Sequence, residues 1–190
     1  MDILDKAIEF ATEAHSGQVR KMAFTPYILH PLEVACIIST MTDDKETMAA
    51  GLLHDTIEDC GVDPKLIREL FGARVSALVQ SETEDRLSDR PPADTWMERK
   101  ADSLLMLKHT PDPAVKILWL GDKLSNMRSF YREFMKKGDA IFSALNQKDP
   151  KQHYWYYSTI AEYLSELKDT AAYQEYTMLI DRMFIEGGLV

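Results

Sequence analysis

Two adjacent doublets, His54-Asp55 and Glu58-Asp59, place three carboxylates and an imidazole within six residues. They directly follow an apolar run, Met48, Ala49, Ala50, Leu52 and Leu53, that predicts a buried helix. Ionisable side chains are seldom buried unless they are paired or hold a metal. Three carboxylates this close repel one another unless a cation lies among them. The stretch Gly51–Cys60 therefore reads as half of a metal site.

The other half must come from elsewhere in the chain. Asp122 sits inside an apolar helical pattern, Leu118-Trp119-Leu120-Gly121-Asp122-Lys123-Leu124, where an unpartnered carboxylate is unwelcome. Alone, it reads equally well as a salt bridge with Lys123 or Arg128, or as a solvent-facing position. His30, at a helix start, alone reads as a half-exposed polar residue. Together, His30, His54, Asp55 and Asp122 form a mixed nitrogen and oxygen set drawn from three helices. Such a set suits Mn²⁺ or Fe²⁺ with positions left for water, and Zn²⁺ also fits.

The elements that must position these residues are helical. Apolar residues recur at helical spacing from Asp2 to about His15, and Asp2 is a candidate N-cap. Ser16–Leu29, with Gly17 and Pro26, reads as a loop, and His30-Pro31 opens a second helix. A third is expected from about Lys45 through the opening stretch to Gly61. Short helices follow near Pro64–Leu70 and Ala73–Glu82, and a polar loop near Thr83–Asp94 carries Pro91-Pro92. Further helices are expected at about Thr95–Lys108, Ala114–Lys136, Lys151–Leu167 and Ala171–Phe184. No stretch alternates at period two. The expected architecture is an all-α bundle of eight to ten helices in one domain spanning residues 1–190.

Composition narrows the function. The 190 residues, 45% of them hydrophobic, suffice for one core. A net charge of -9 argues against broad binding to nucleic acid or to an anionic membrane, since both need a basic face. It leaves open a small phosphorylated ligand, which needs only a few local cations. Cys36 and Cys60 lack CxxC spacing and read as reduced cysteines. Neither a signal peptide nor a membrane span is evident, so a cytoplasmic protein is expected; the sequence leaves the oligomeric state open.

The flanking text carries a resemblance. Arg20-Lys21, then Thr25-Pro26-Tyr27-Ile28-Leu29-His30-Pro31, Leu52-Leu53-His54-Asp55-Thr56-Ile57-Glu58-Asp59, Phe71-Gly72, Glu98-Arg99-Lys100 and Asp122-Lys123-Leu124-Ser125-Asn126-Met127-Arg128 follow in order. This series resembles the hydrolase domain of the RelA/SpoT homologues, within the HD superfamily of metal-dependent phosphohydrolases. Those domains remove the 3′-pyrophosphate from the alarmones ppGpp and pppGpp. The resemblance covers about residues 1–185 and is similar in extent to the stand-alone metazoan type.

The resemblance implies Mn²⁺ held by His30, His54, Asp55 and Asp122. It implies that Glu58 and Asp59 position or deprotonate the attacking water. On an unbroken helix Glu58 falls one turn beyond His54 and Asp55. The resemblance further places Arg20 and Lys21 beside the nucleotide and Asn126 at its ribose or pyrophosphate. Arg99, Lys100 and Arg128 are further cations within reach of phosphate, and His153 or Tyr154 is a candidate near the base. The run His153-Tyr154-Trp155-Tyr156-Tyr157 reads more readily as core packing. The chain departs from the family's pattern at Met22-Ala23-Phe24, at Pro91-Pro92 and at Gly121, none of which touches a metal or acidic position. Other phosphohydrolase substrates (ppApp, NADPH or a nucleoside monophosphate) and a non-catalytic nucleotide-binding module are the alternatives.

Overall fold

The computed structural model describes residues 1–20, 24–84 and 90–190. Among these, ten α-helices occur and no strand, apart from an isolated bridge between Val19 and Pro26. The all-α expectation holds. Lys21 and the middle of the loop after Thr83 lie outside the described residues.

α8 (Pro113–Lys137) is the axis of the bundle. It packs against α2 (Leu29–Ile38), α3 (Lys45–Leu53), α6 (Ala73–Glu82) and α10 (Ala171–Ile180). α1 (Ile3–Ala14) covers α3, and α5 (Pro64–Phe71) covers α6. α7 (Trp96–His109) pairs with α9 (Pro150–Tyr163). Three helices begin with the same device. Asp63, Asp112 and Asp149 each accept the backbone N–H two residues on, and a proline fills the first helical position. α8 and α9 accordingly start one residue earlier than the apolar pattern alone predicts.

Close approach of α2 to its neighbours sets the geometry of the site. A Cβ on Gly51 of α3 would come within 2.5 Å of Ile38 Cδ1, and one on Gly121 of α8 within 2.8 Å of Ile38 Cγ1. Val34 and Ile38, both fully buried, are seated against these two glycines. Gly51 precedes His54 by three residues, and Gly121 immediately precedes Asp122. The same contacts that build the core therefore bring the three site-bearing helices together.

One expectation fails here. The third helix does not run unbroken to Gly61; it stops at Leu53, and α4 (Thr56–Cys60) begins after a turn at His54-Asp55. Side chains take the carbonyls at the break. His54 Nδ1 lies 2.9 Å from the Gly51 carbonyl, and the Thr56 hydroxyl donates to the Leu53 carbonyl at 2.7 Å. Gly61, at φ 68°, ends α4 in the left-handed conformation that glycine adopts without strain. At the C-terminal side, α9 stops at Tyr163 before a 3₁₀ turn, Ser165–Leu167, and α10 passes into a π turn at Asp181–Ile185. No helix among the described residues is long and apolar enough to cross a membrane.

Candidate metal centre and substrate pocket

His30 stands in the first turn of α2, with its ring 4% exposed. Its Nδ1 lies 2.8 Å from the Ser125 hydroxyl, which donates its one proton to Glu33 Oε2 at 2.7 Å. The hydroxyl must then accept from Nδ1–H, so His30 presents a bare Nε2. His54 is oriented differently. Its Nδ1 faces a carbonyl, which can only accept, and its buried Nε2 makes no hydrogen bond. Both rings are thus fixed by partners behind them.

The two Nε2 atoms face two carboxylates. His30 Nε2 is 3.1 Å from Asp122 Oδ1 and 3.6 Å from Asp55 Oδ2. His54 Nε2 is 3.0 Å from Asp55 Oδ2 and 3.5 Å from Asp122 Oδ1. Although these distances are short, neither oxygen hydrogen-bonds to His54 Nε2. Ligand atoms of His30, His54 and Asp122 all fall within 4.8 Å of one another. Two imidazole nitrogens and two carboxylates converging on one buried point are the donor set of a divalent-cation site. The donor set fits the metal that an HD domain implies.

The electrostatics state the same demand. Burial pushes the His30 pKa down. Burial also disfavours charge on His54, yet the carboxylates of Asp55 and Asp122 outweigh it and hold that imidazole well above its usual value. Asp55 and Asp122 are both lowered despite burial, Asp55 chiefly by His54 and Asp122 by Lys123 and the imidazoles. What the cluster needs is positive charge, and a metal ion supplies it without a proton.

A cavity of about 280 Å³ opens beside this cluster. Glu58, Glu82, Glu84, Arg99, Lys100 and Lys123 line it together with His30, Asp55 and Asp122. The structure separates the acidic doublet. Glu58 lines this cavity and accepts the Glu84 backbone N–H at 3.4 Å. Asp59 is exposed and lines a neighbouring one. It connects to the cluster through Tyr27, whose hydroxyl lies 2.6 Å from Asp55 Oδ2 and 3.0 Å from Asp59 Oδ2. Burial and those two carboxylates drive the Tyr27 pKa far up, so the phenol stays a donor.

Among the cations, Arg99 and Lys100 both hold Glu84, and Lys123 sits between Asp122 and Glu82. Arg128 turns elsewhere, to Glu175 and Glu33, and lines none of this cavity. Arg20 donates its backbone N–H to the Thr25 carbonyl and accepts the Phe24 N–H, and Phe24 has φ 54°. Its guanidinium donates to Asn126 Oδ1 at 2.9 Å, and Asn126 Nδ2 donates to Asp122 Oδ1 at 2.6 Å. Two nucleotide-binding candidates are thereby tied to a metal-ligand candidate.

The aromatic run packs in and against the core, with His153 and Tyr156 buried and Tyr154, Trp155 and Tyr157 half-buried. His153 bonds the Gln147 carbonyl and lies against Trp96, Phe130 and Phe142, while Tyr154 packs on Phe184. Sequence reasoning missed Glu82, whose side chain is 3% exposed and whose Oε1 has no partner. Burial, with Asp122 nearby, pushes its pKa up to about 8 against the pull of Lys123. It missed Ser125 too, although a hydroxyl three residues after Asp122, on the same helix face, is a readable signal.

A family model described as the HD domain matches residues 7–150. Guanosine-3′,5′-bis(diphosphate) 3′-pyrophosphohydrolase of Aquifex aeolicus is 38% identical over 136 residues, which cover 70% of this chain and 19% of that one. The bifunctional (p)ppGpp synthase/hydrolase SpoT of Escherichia coli is 36% identical over 127 residues, covering 66% and 18%. The chain spans less than a fifth of the length of these relatives. A solved structure described as a metazoan ortholog of SpoT that hydrolyzes ppGpp superposes with a TM-score of 0.74 at 23% identity, over 100% of this chain and 98% of that one.

Proposed function

The chain belongs to the HD domain family, and from that premise we propose that it is a Mn²⁺-dependent hydrolase that removes the 3′-pyrophosphate of ppGpp and pppGpp. One observation carries this reading: a buried cluster of imidazole nitrogens and carboxylates opens onto a cavity lined by Arg99, Lys100 and Lys123. The cluster's need for positive charge suits a metal, and the adjoining cations suit a pyrophosphate. The mixed nitrogen and oxygen ligand set is compatible with Mn²⁺, the metal that the family resemblance implies.

When bound by His30, His54, Asp55 and Asp122, a divalent ion lowers the pKa of its water and offsets charge on phosphoryl oxygens. Glu58, on the cavity wall, accepts the proton of the attacking water, a contribution typically worth about 10² to 10⁴ in rate. Tyr27 holds Asp55 and Asp59 together and so orients the ligand carboxylate. Arg99, Lys100 and Lys123 neutralise the pyrophosphate as it departs. The water oxygen bonds to the phosphorus attached at O3′. The P–O3′ bond breaks, its electron pair stays on O3′, and a proton joins it there. From ppGpp the products are GDP and pyrophosphate. Arg20 and Lys21 bind the guanine nucleotide, and Asn126 its ribose or pyrophosphate.

Product analysis tests the reading. Metal-loaded protein is incubated with ppGpp, ppApp, NADPH and a nucleoside monophosphate, and the products are separated by chromatography. Release of GDP and pyrophosphate from ppGpp is expected. Preferred turnover of another member of the panel would reassign the substrate.

A further inference from the structure

A second cavity, of about 510 Å³, adjoins the first and shares Arg20 and His30 with it. One face of α8 forms part of its wall. Ser125, Ser129, Arg132 and Lys136 follow Asp122 at steps of three or four residues, and all four line this cavity. The two serines keep that wall low near the metal cluster. At about 1.5 Å of rise per residue, Arg132 stands about 15 Å along the helix from Asp122. One pyrophosphate group is too short to reach both, whereas a nucleoside with phosphates at each end has a ribose to place between them.

The charges in this cavity are not evenly matched. Glu33 accepts from Ser125 at 2.7 Å and from Arg128 at 3.1 Å. Glu133 takes Lys136 at 2.7 Å and Lys137 at 2.9 Å. Both carboxylates are therefore satisfied. Arg132 is exposed and makes no hydrogen bond or ion pair with any described residue. An unengaged guanidinium fork, one helix face along from the metal cluster, is well placed for a phosphate.

We propose that this cavity is a second phosphate subsite, in which Arg132, with Lys136 a turn beyond it, binds the 5′-phosphates of a nucleoside whose 3′-pyrophosphate lies at the metal cluster. The inference rests on the nucleotide reading above and adds a specificity determinant to it. Arg132 distinguishes nucleotides phosphorylated at both ends from those phosphorylated at the 3′ end alone.

Calorimetric titration of the metal-loaded protein with guanosine 5′-diphosphate and with guanosine tests this without requiring turnover. Arg132→Ala weakens the diphosphate by about tenfold or more, the worth of a charge-assisted contact, and guanosine by less than about twofold. Arg132→Lys recovers part of the loss, and an unchanged melting temperature shows that the exposed site folds normally. With ppGpp as substrate, the alanine variant raises KM more than it lowers kcat. The subsite falls if the wild type fails to bind guanosine 5′-diphosphate, if both ligands weaken equally, or if neither changes. An Arg132-dependent affinity in a protein that leaves ppGpp intact upholds the subsite and removes the hydrolase reading, so the two failures are distinct.

Discussion

His30 and His54 in the metal cluster and His153 in the aromatic cluster are nearly equally buried, at 4%, 3% and 7% exposure. They differ in what their ring nitrogens meet. His153 Nε2 finds the Gln147 carbonyl at 2.8 Å, its faces meet aromatic rings, and burial simply keeps it neutral. His30 and His54 turn their satisfied Nδ1 atoms backward and their Nε2 atoms toward carboxylates. Burial alone therefore does not mark a functional histidine. Ring nitrogens gathered with carboxylates around one point do.

The largest expected break in this contrast comes from the carboxylates. Asp55→Ala or Asp122→Ala abolishes both metal binding and turnover, read by elemental analysis of the purified variants and by product assay. Glu58→Ala keeps the metal and loses about 10² to 10⁴ in kcat. Normal hydrolysis by that variant would remove Glu58 from the reaction. Ser125→Ala frees the His30 tautomer and weakens metal affinity by about 10- to 100-fold, as loss of a group behind a ligand does; a competitive chelator titration measures it.

His153→Phe has the smallest effect. Metal content stays at the wild-type level, and stability falls by about 1–3 kcal/mol from the lost carbonyl partner and the altered packing, read by denaturant unfolding. The pH dependence sharpens the point. The His153 pKa is lowered in the fold, so the unfolded chain binds more protons, and wild-type stability is lost as pH falls below about 6.5. The variant lacks that component, and the difference between the two curves isolates it. A His153→Phe protein that lost its metal would erase the distinction between the clusters.

Much of this was legible before any coordinates. Helical spacing predicts the all-α bundle, and an aspartate inside the apolar face of α8 marks Asp122. The plain reading of Asp122 as a partner of Lys123 holds, since Lys123 meets it alongside the imidazoles. The turn at His54-Asp55 was not legible, because side chains bonding to Gly51 and Leu53 carbonyls decide it, and helix periodicity is blind to them. Glu82 was hidden for another reason. It ends a helix next to a polar stretch, and its burial comes from tertiary packing rather than from its own neighbours in sequence.

Anomalous diffraction from crystals soaked in manganese chloride tests the central contrast most directly. A single strong peak within coordination distance of His30 Nε2, His54 Nε2 and an Asp122 oxygen, with none at His153, is the predicted result. Hydrolysis of ppGpp by a protein whose peak lies away from those nitrogens would contradict it.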